Sequence, residues 1–367
     1  MQDAPATEDK THVSTTSESI PGTMLALVKS GAYPGAELTE LPVPEVGPRD
    51  ILIRIRAASI CGTDLHIYSW DPWAASRIQP PLVFGHEFCG DVVAVGADVT
   101  HVSLGAFVAA ESHVNCGECF ECRHGMEHIC KRLQIIGVDR PGAFAEYISI
   151  PEQNAWLTDR RFPPEIATIQ EPMGNAVHAA SVAPLAGAAV AIFGAGPIGL
   201  FAVPIARATG AAKIMTVEPS NYRRELAQTM GSDVVIDPRR EDVLRRILDE
   251  TGGEGADVLL EMSGNPQAIA QGLRSLRSGG HVSLLGIPSR PMEVDLADGI
   301  IFKGATVRGI AGRRIWETWY QTRGFLESGM DLSPIITHEL PLSGFAEAFD
   351  LVASGQSGKV MLRPAHA

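Results

Sequence analysis

Residues 51–58 alternate apolar and polar positions, with Ile51, Ile53 and Ile55 set against Arg54 and Arg56. This period of two predicts a strand with one face in a core. Residues 88–95 and 143–150 repeat the pattern between glycine and proline turns, so the first part of the chain, from Met24, predicts a small barrel-like β domain. Near residue 175 the rhythm changes to strand, glycine turn and helix. Residues 188–193, 197–209, 214–218 and 223–230 form the first units, and strands are expected again at 234–236, 257–262, 281–286 and 306–310. That alternation is the pattern of a doubly wound parallel sheet with helices on both faces. The chain ends in a short apolar run at 359–362, expected to rejoin the first domain as a strand, and no internal repeat is visible.

The expected organisation is a disordered tail at 1–23, a β-rich domain at 24–173 and 316–367 carrying a cysteine lobe at 113–132, and an inserted nucleotide-binding domain at 174–315. Residues 179–206 carry no charged side chain and are long enough to imitate a membrane span. Pro184, Gly187, Gly194, Gly196, Pro197, Gly199 and Pro204 interrupt the run, which fits a buried strand, a turn and a buried helix better.

Composition narrows the function. The 367 residues suffice for two cores and a cleft between them, and 37 glycines with 25 prolines mark a loop-rich but folded chain. A formal charge of −13 argues against nucleic-acid or anionic-membrane partners, which demand a positive field. The Thr-, Ser- and acid-rich tail has neither an apolar core nor the basic character of a targeting peptide, so a cytoplasmic location is expected.

Chemistry concentrates in three places. Gly85-His86-Glu87 opens a G-H-E-x-x-G-x-x-x-x-x-G-x-x-V run, and Cys61-Gly62-Thr63-Asp64-Leu65-His66 lies upstream. A thiolate from Cys61 and an imidazole from His86 form a mixed site suited to zinc, with a carboxylate from Glu87 or Glu171 and room for a substrate oxygen. An alcohol at such an open position gives up its proton near neutral pH and its hydride to a nicotinamide. Thr63 and His66 are spaced to carry that proton to solvent. Cys116, Cys119, Cys122 and Cys130 follow a C-x2-C-x2-C-x7-C pattern, with Gly117 and Gly125 to wrap the chain. Four thiolates make a closed, structural zinc site. Cys89 is left over as a small buried apolar residue.

Gly194-Ala195-Gly196-Pro197-Ile198-Gly199 lies between a predicted strand and a predicted helix, the context in which G-x-G-x-x-G binds a dinucleotide pyrophosphate. Glu218, nineteen residues past Gly199, suits the ribose hydroxyls of NAD and repels the extra phosphate of NADP. Arg223 is expected along the adenine ribose. Leu285, Gly286, Ile287, Gly309 and Ile310, at strand ends on the same sheet edge, are expected at the nicotinamide half.

With these residues in place, the chain resembles the zinc-containing medium-chain dehydrogenases, which join a GroES-like domain to a Rossmann domain. More narrowly, CGTDLHIYSWDPW at 61–73, EPMGNAVHA at 171–179, GRRIWETWY at 312–320 and DLSPIITH at 331–338 are similar to the L-threonine 3-dehydrogenase family. The resemblance implies NAD-dependent oxidation of the secondary alcohol of L-threonine to 2-amino-3-oxobutanoate in a homotetramer with two zinc ions per subunit. It also implies zinc ligation by Cys61, His86 and Glu87, with Glu171 as a fourth ligand or a helper in proton transfer. His113 and Arg313 are candidates to bind the ammonium or carboxylate of the substrate. Two departures stand out. Gly105-Ala106-Phe107-Val108 replaces the family's Gly-Asp-Arg-Val, which removes an expected ion pair, and Gly187 is followed by Ala188 and Ala189 where a polar residue is common. The competing readings are a zinc enzyme of polyols or diols such as sorbitol, glucose or 2,3-butanediol, and a non-catalytic nucleotide-binding protein.

Overall fold

The structure is a computed structural model that describes residues 14–15 and 19–365. The tail expectation for residues 1–13 and 16–18 lies outside the described residues. Ser14–Thr15 pairs antiparallel with Val95 and Ala94.

Asp50–Ser59 (β1) is the spine of the first sheet, antiparallel to Glu87–Val95 (β2), which pairs in turn with Phe107–Ala110 (β3). Isoleucines 51, 53 and 55 are fully buried, as the alternation demands, and pack in one core with Phe84, Phe88 and Phe144. The strand expected at 143–150 is shorter, Tyr147–Pro151, which pairs with the first half of β1. Its missing part crosses the chain instead, where Ala143 and Phe144 donate backbone hydrogen bonds to Gly85 and Phe84 at 2.8 and 2.9 Å.

The second sheet holds six parallel strands: Ala189–Phe193 (β4), Lys213–Val217 (β5), Val234–Ile236 (β6), Ala256–Glu261 (β7), Leu276–Leu284 (β8) and Thr306–Gly309 (β9). Their order, β6-β5-β4-β7-β8-β9, is the doubly wound arrangement whose strand order reverses beside β4. Residues 285 and 286, expected inside a strand, leave β8 and donate backbone hydrogen bonds to Glu261 O. The uncharged run resolves as a buried strand and the helix Pro197–Ala208. No helix among the described residues is long and apolar enough to cross a membrane.

Two helices form the seam between the sheets. Gln170–Ser181 (α1) is almost wholly buried, and Glu317–Glu327 (α2) packs against it. The sequence reading returns the chain to the first domain at 316. In the structure Trp319 packs with Ala109 and Trp156 of the first domain, whereas Leu326, Leu332 and Ile335 pack into the core beneath the parallel sheet. Helix α2 therefore serves both sides, and the full return comes with Ile336–Pro341 (β10) and Lys359–Arg363 (β11). Strand β11 reaches β1 through Met361 opposite Ser59 and Leu362 opposite Ala58.

Candidate active site and metal centres

The antiparallel register of β1 and β2 builds the first centre. Ser59 lies opposite Glu87, so Cys61, just beyond the end of β1, meets His86 just before the start of β2. Gly85 makes the corner at φ 91°, and a Cβ there would lie 2.6 Å from the Phe144 ring, so only glycine fits. The Cys61, His86 and Glu87 ligand atoms all lie within 4.8 Å of one another. Glu87 Oε1 is buried without a protein hydrogen-bond partner, as expected of a donor reserved for an ion. Burial opposes charge on His86, but Asp64 and the Cys61 sulfur push its pKa well above the ordinary value. A cation settling here would replace that proton. Asp64 Oδ2 accepts the Cys61 backbone N–H at 2.9 Å, and Oδ1 lies 3.5 Å from His86 Nδ1, so one buried acid fixes both ligands.

Thr63 and His66 sit on the helix Gly62–Ser69 that starts at this corner. Thr63 Oγ1 is 3.9 Å from Cys61 Sγ, and the exposed His66 ring bonds Asp71 Oδ2 through Nδ1 at 2.6 Å. Burial works to raise the Asp71 pKa, but the Ala74 N–H and His66 hold it below the ordinary value. Thr63 thus lies beside Cys61, while His66, on the same helix, is exposed beside Asp71.

Glu171, in the first turn of α1, accepts from Ser112 Oγ at 2.6 Å and pairs with Arg313 at 2.9 Å, both through Oε1. Burial raises its pKa, with Arg313 opposing. Arg313 differs from the expectation of a free partner for substrate. It is 2% exposed and already occupied by Glu111, Ser112 and Glu171, while Trp319 Nε1 donates to the same Glu111 at 2.7 Å. Sequence spacing could not reveal this network, because Glu111 and Arg313 are far apart along the chain. His113 is partly buried beside it, its Nδ1 3.7 Å from Glu111 Oε1. Burial, joined by the Arg313 charge, pushes its pKa down to about 4, leaving a neutral imidazole.

The second centre lies in the cysteine lobe, where Cys116, Cys119, Cys122 and Cys130 converge with sulfurs within 4.8 Å of one another and no disulfide. Gly117 and Gly125 take φ of 73° and 70°, the wrapping turns the sequence predicted. The Cys116 and Arg132 backbone N–H groups point at Cys130 Sγ at 3.4 and 3.3 Å, and Asn115 Nδ2 points at Cys122 Sγ at 3.7 Å. The Glu118 backbone N–H leads the groups that pull the Cys116 pKa down to about 6. Such donors stabilise thiolates, so the lobe suits a soft divalent ion. Cys89 is fully buried and desolvation raises its thiol to about 12, in keeping with a packing role.

At the carboxyl edge of the parallel sheet, Gly194 turns at φ 95° and a Cβ on Gly199 would lie 1.9 Å from Gly194 O. The glycines hold the helix start, with Ile198 in its first turn, against the strand end. Glu218 accepts from the Ala195 N–H and the Ser220 N–H, each at 2.8 Å, and so braces the loop as well as facing it. Arg223 Nε donates to Ser357 O at 3.3 Å, across the seam. Glu261 is a residue the sequence reading missed. Fully buried at the end of β7, it accepts from the backbone of Ser263 and Gly264, bringing that turn against Gly286. An acid at a strand end, with Ser263-Gly264-Asn265 following one residue on, was the available signal. Leu285 and Gly286 border the same edge, Ile287 is exposed beyond it, and Ile310 N donates to Leu284 O at 2.9 Å after Gly309.

The departure at residues 105–108 has a structural answer. Phe107 lies opposite Asp91, which pairs with Arg56 at 2.6 Å and Arg160 at 2.9 Å, and the Arg160 guanidinium also covers the Phe107 ring.

The β-rich domain with two ligand clusters and the doubly wound sheet with its glycine edge together define a zinc-binding dehydrogenase. Family comparison agrees: residues 47–160 match the alcohol dehydrogenase GroES-like domain, and residues 197–328 match the zinc-binding dehydrogenase domain. A solved zinc-binding dehydrogenase from Sinorhizobium meliloti 1021, bound to NADP, superimposes with a TM-score of 0.87 at 28% identity, covering 94% of this chain and all of the other. An L-threonine 3-dehydrogenase of Symbiobacterium thermophilum is 51% identical over 93% of this chain and 98% of its own length. One from Caldanaerobacter subterraneus subsp. tengcongensis is 50% identical over 94% and 99%. The chain belongs to the L-threonine 3-dehydrogenase family.

Proposed function

We propose that this protein oxidises the secondary alcohol of L-threonine with NAD, yielding 2-amino-3-oxobutanoate in threonine catabolism. The observation that carries the chemistry is the convergence of Cys61, His86 and the unpartnered Glu87 Oε1 at one buried corner. Relatives named for threonine carry the substrate. Cys61, His86 and Glu87 would hold the catalytic zinc, and the four cysteines of the lobe a second, structural zinc. When bound, zinc supplies Lewis-acid polarisation of the alcohol and the nicotinamide supplies the hydride acceptor.

The remaining work belongs to the chain. Thr63 accepts the proton leaving the substrate hydroxyl, and His66, oriented by Asp71, passes it to solvent. Glu171, kept near the site through Oε1, leaves its other oxygen available to the substrate or to proton transfer. The glycine loop and Glu218 receive the adenosine diphosphate half of the cofactor, and the carboxylate supports NAD over NADP by repelling a ribose phosphate. Arg313 is committed to Glu111 and Glu171 and so is not free for the substrate carboxylate, while the substrate ammonium calls for an anionic acceptor such as Glu171, which is close enough to feel the charges of both His86 and Glu87. The enzyme is further read as a cytoplasmic homotetramer. Support for assembly comes from β9, an exposed edge strand, with exposed Ile301 and Phe302 preceding it.

The test is NAD reduction by the zinc-replete enzyme, comparing kcat/KM for L-threonine, 2,3-butanediol, sorbitol and glucose. A clear threonine preference is expected. Activity confined to diols or sugars would overturn the substrate while leaving the zinc chemistry, and loss of all activity with NAD retained in the protein would favour a nucleotide-binding role.

A further inference from the structure

Two lysines are fully buried among the described residues, and they are satisfied differently. Lys29 is surrounded by carbonyls, those of Tyr33, Gly35 and Tyr68. Lys359, 1% exposed, places its ammonium on Glu87 Oε2 and donates to Ile60 O at 3.1 Å. Ser59 Oγ donates to the same Glu87 oxygen. Both partners therefore grip one oxygen, and the other, Oε1, is the unpartnered atom facing Cys61 and His86. The backbone enforces this arrangement. Ile60 N donates to Val360 O at 3.0 Å and Met361 lies opposite Ser59, so β11 delivers Lys359 to the corner where β1 ends and β2 begins.

We propose that Lys359 is a positioning residue for the catalytic zinc, presenting Glu87 Oε1 to the ion while limiting how tightly that carboxylate binds it. The proposal rests on the reading of Cys61, His86 and Glu87 as the zinc ligands. Outer partners that donate from a neutral group orient a ligand, but a cationic partner also draws charge from it and adds a positive charge close to the ion. Without zinc, the same ammonium compensates a buried carboxylate that would otherwise stand beside the Cys61 thiolate. Both effects act in one direction. Lys359 stabilises the metal-free protein and weakens the metal-bound one, keeping the ion exchangeable. Strand β11 follows the 354–358 loop, whose Gly355 and Ser357 carbonyls accept from Ser220 and Arg223 beside the adenosine site, so this grip is anchored on both domains.

The experiment is zinc competition against a chelator in the full chain, following the ion that Cys61→Ala lacks, for wild type, Lys359→Met, Lys359→Gln and Lys359→Arg. The Gln variant keeps a donor to Glu87 without the charge, in case Met prevents folding. Both neutral variants should bind this zinc about tenfold or more tightly, and their melting temperatures should fall further without zinc than with it. Lys359→Arg should match wild type. Unchanged or weaker zinc binding in the neutral variants would overturn the proposal with the zinc site intact. If wild type holds no ion that Cys61→Ala loses, the site reading itself falls and the proposal with it.

Discussion

At the scale of single residues, Glu218 and His66 make the sharpest predictions. Glu218 accepts one backbone N–H of the cofactor loop, from Ala195, and one from Ser220, and keeps lone pairs for ribose hydroxyls. Hydrogen bonds to a carboxylate contribute ~1.5–3 kcal/mol, so Glu218→Ala should raise the KM for NAD about 10- to 100-fold and narrow the preference over NADP. Steady-state kinetics with both cofactors checks this. His66 is exposed and its ring pairs with Asp71 rather than with Cys61, His86 or Glu87, so His66→Ala should keep its zinc while turnover falls about tenfold or more. Added imidazole should restore part of the rate, and a fully active variant would remove His66 from the proton path. Residues of this kind were legible in the sequence because their chemistry is local. A thiol, an imidazole and a carboxylate at family spacing identify themselves, as do glycines at a strand-to-helix turn.

Elements carry the next layer. The cysteine lobe has almost no apolar core of its own, since Phe120 and Ile129 are exposed, so its shape depends on what the four sulfurs bind. Cys119→Ser should lose about one zinc per chain and lower the melting temperature, measured by metal analysis and calorimetry; unchanged values would refute the structural role. The alternating strands at 51–58 and 88–95 and the units at 189–193 and 197–208 formed close to where their periodicity placed them. Local patterning failed where a segment is shared between two environments. Residues 142–144 bond to Val83, Phe84 and Gly85 rather than to β1, and α2 buries Trp319 on one side and Leu326 on the other. Neither arrangement leaves a single apolar period to read.

For the whole molecule, the decisive feature is the charged network at the seam. Arg313 arrives from the loop after β9, Glu111 from the end of β3 and Glu171 from α1, all essentially buried. Removing one member of a buried ion pair typically costs about 3–5 kcal/mol, so Arg313→Met should unfold at markedly lower denaturant. Burial would raise the Glu111 pKa, but Arg313 holds it below the ordinary carboxylate value of 4.5. A depressed pKa contributes stability above the ordinary carboxylate range that is lost as pH falls through the folded value. The gap between wild type and Arg313→Met should therefore narrow as pH drops below that range, and a constant gap would assign the effect to packing alone.

By itself the sequence determined the two-domain plan and the likeness to threonine dehydrogenases and pointed to the candidate ligand residues and cofactor loop, because each depends on residues near one another along the chain. Only the tertiary structure decided who partners whom. It spent Arg313 on Glu111 and Glu171, set Glu218 to brace the loop it faces, and brought Lys359 from the last strand onto Glu87. Buried charges must find opposite charges wherever the fold brings them, and those partners are chosen by strand register and domain docking rather than by spacing in the chain.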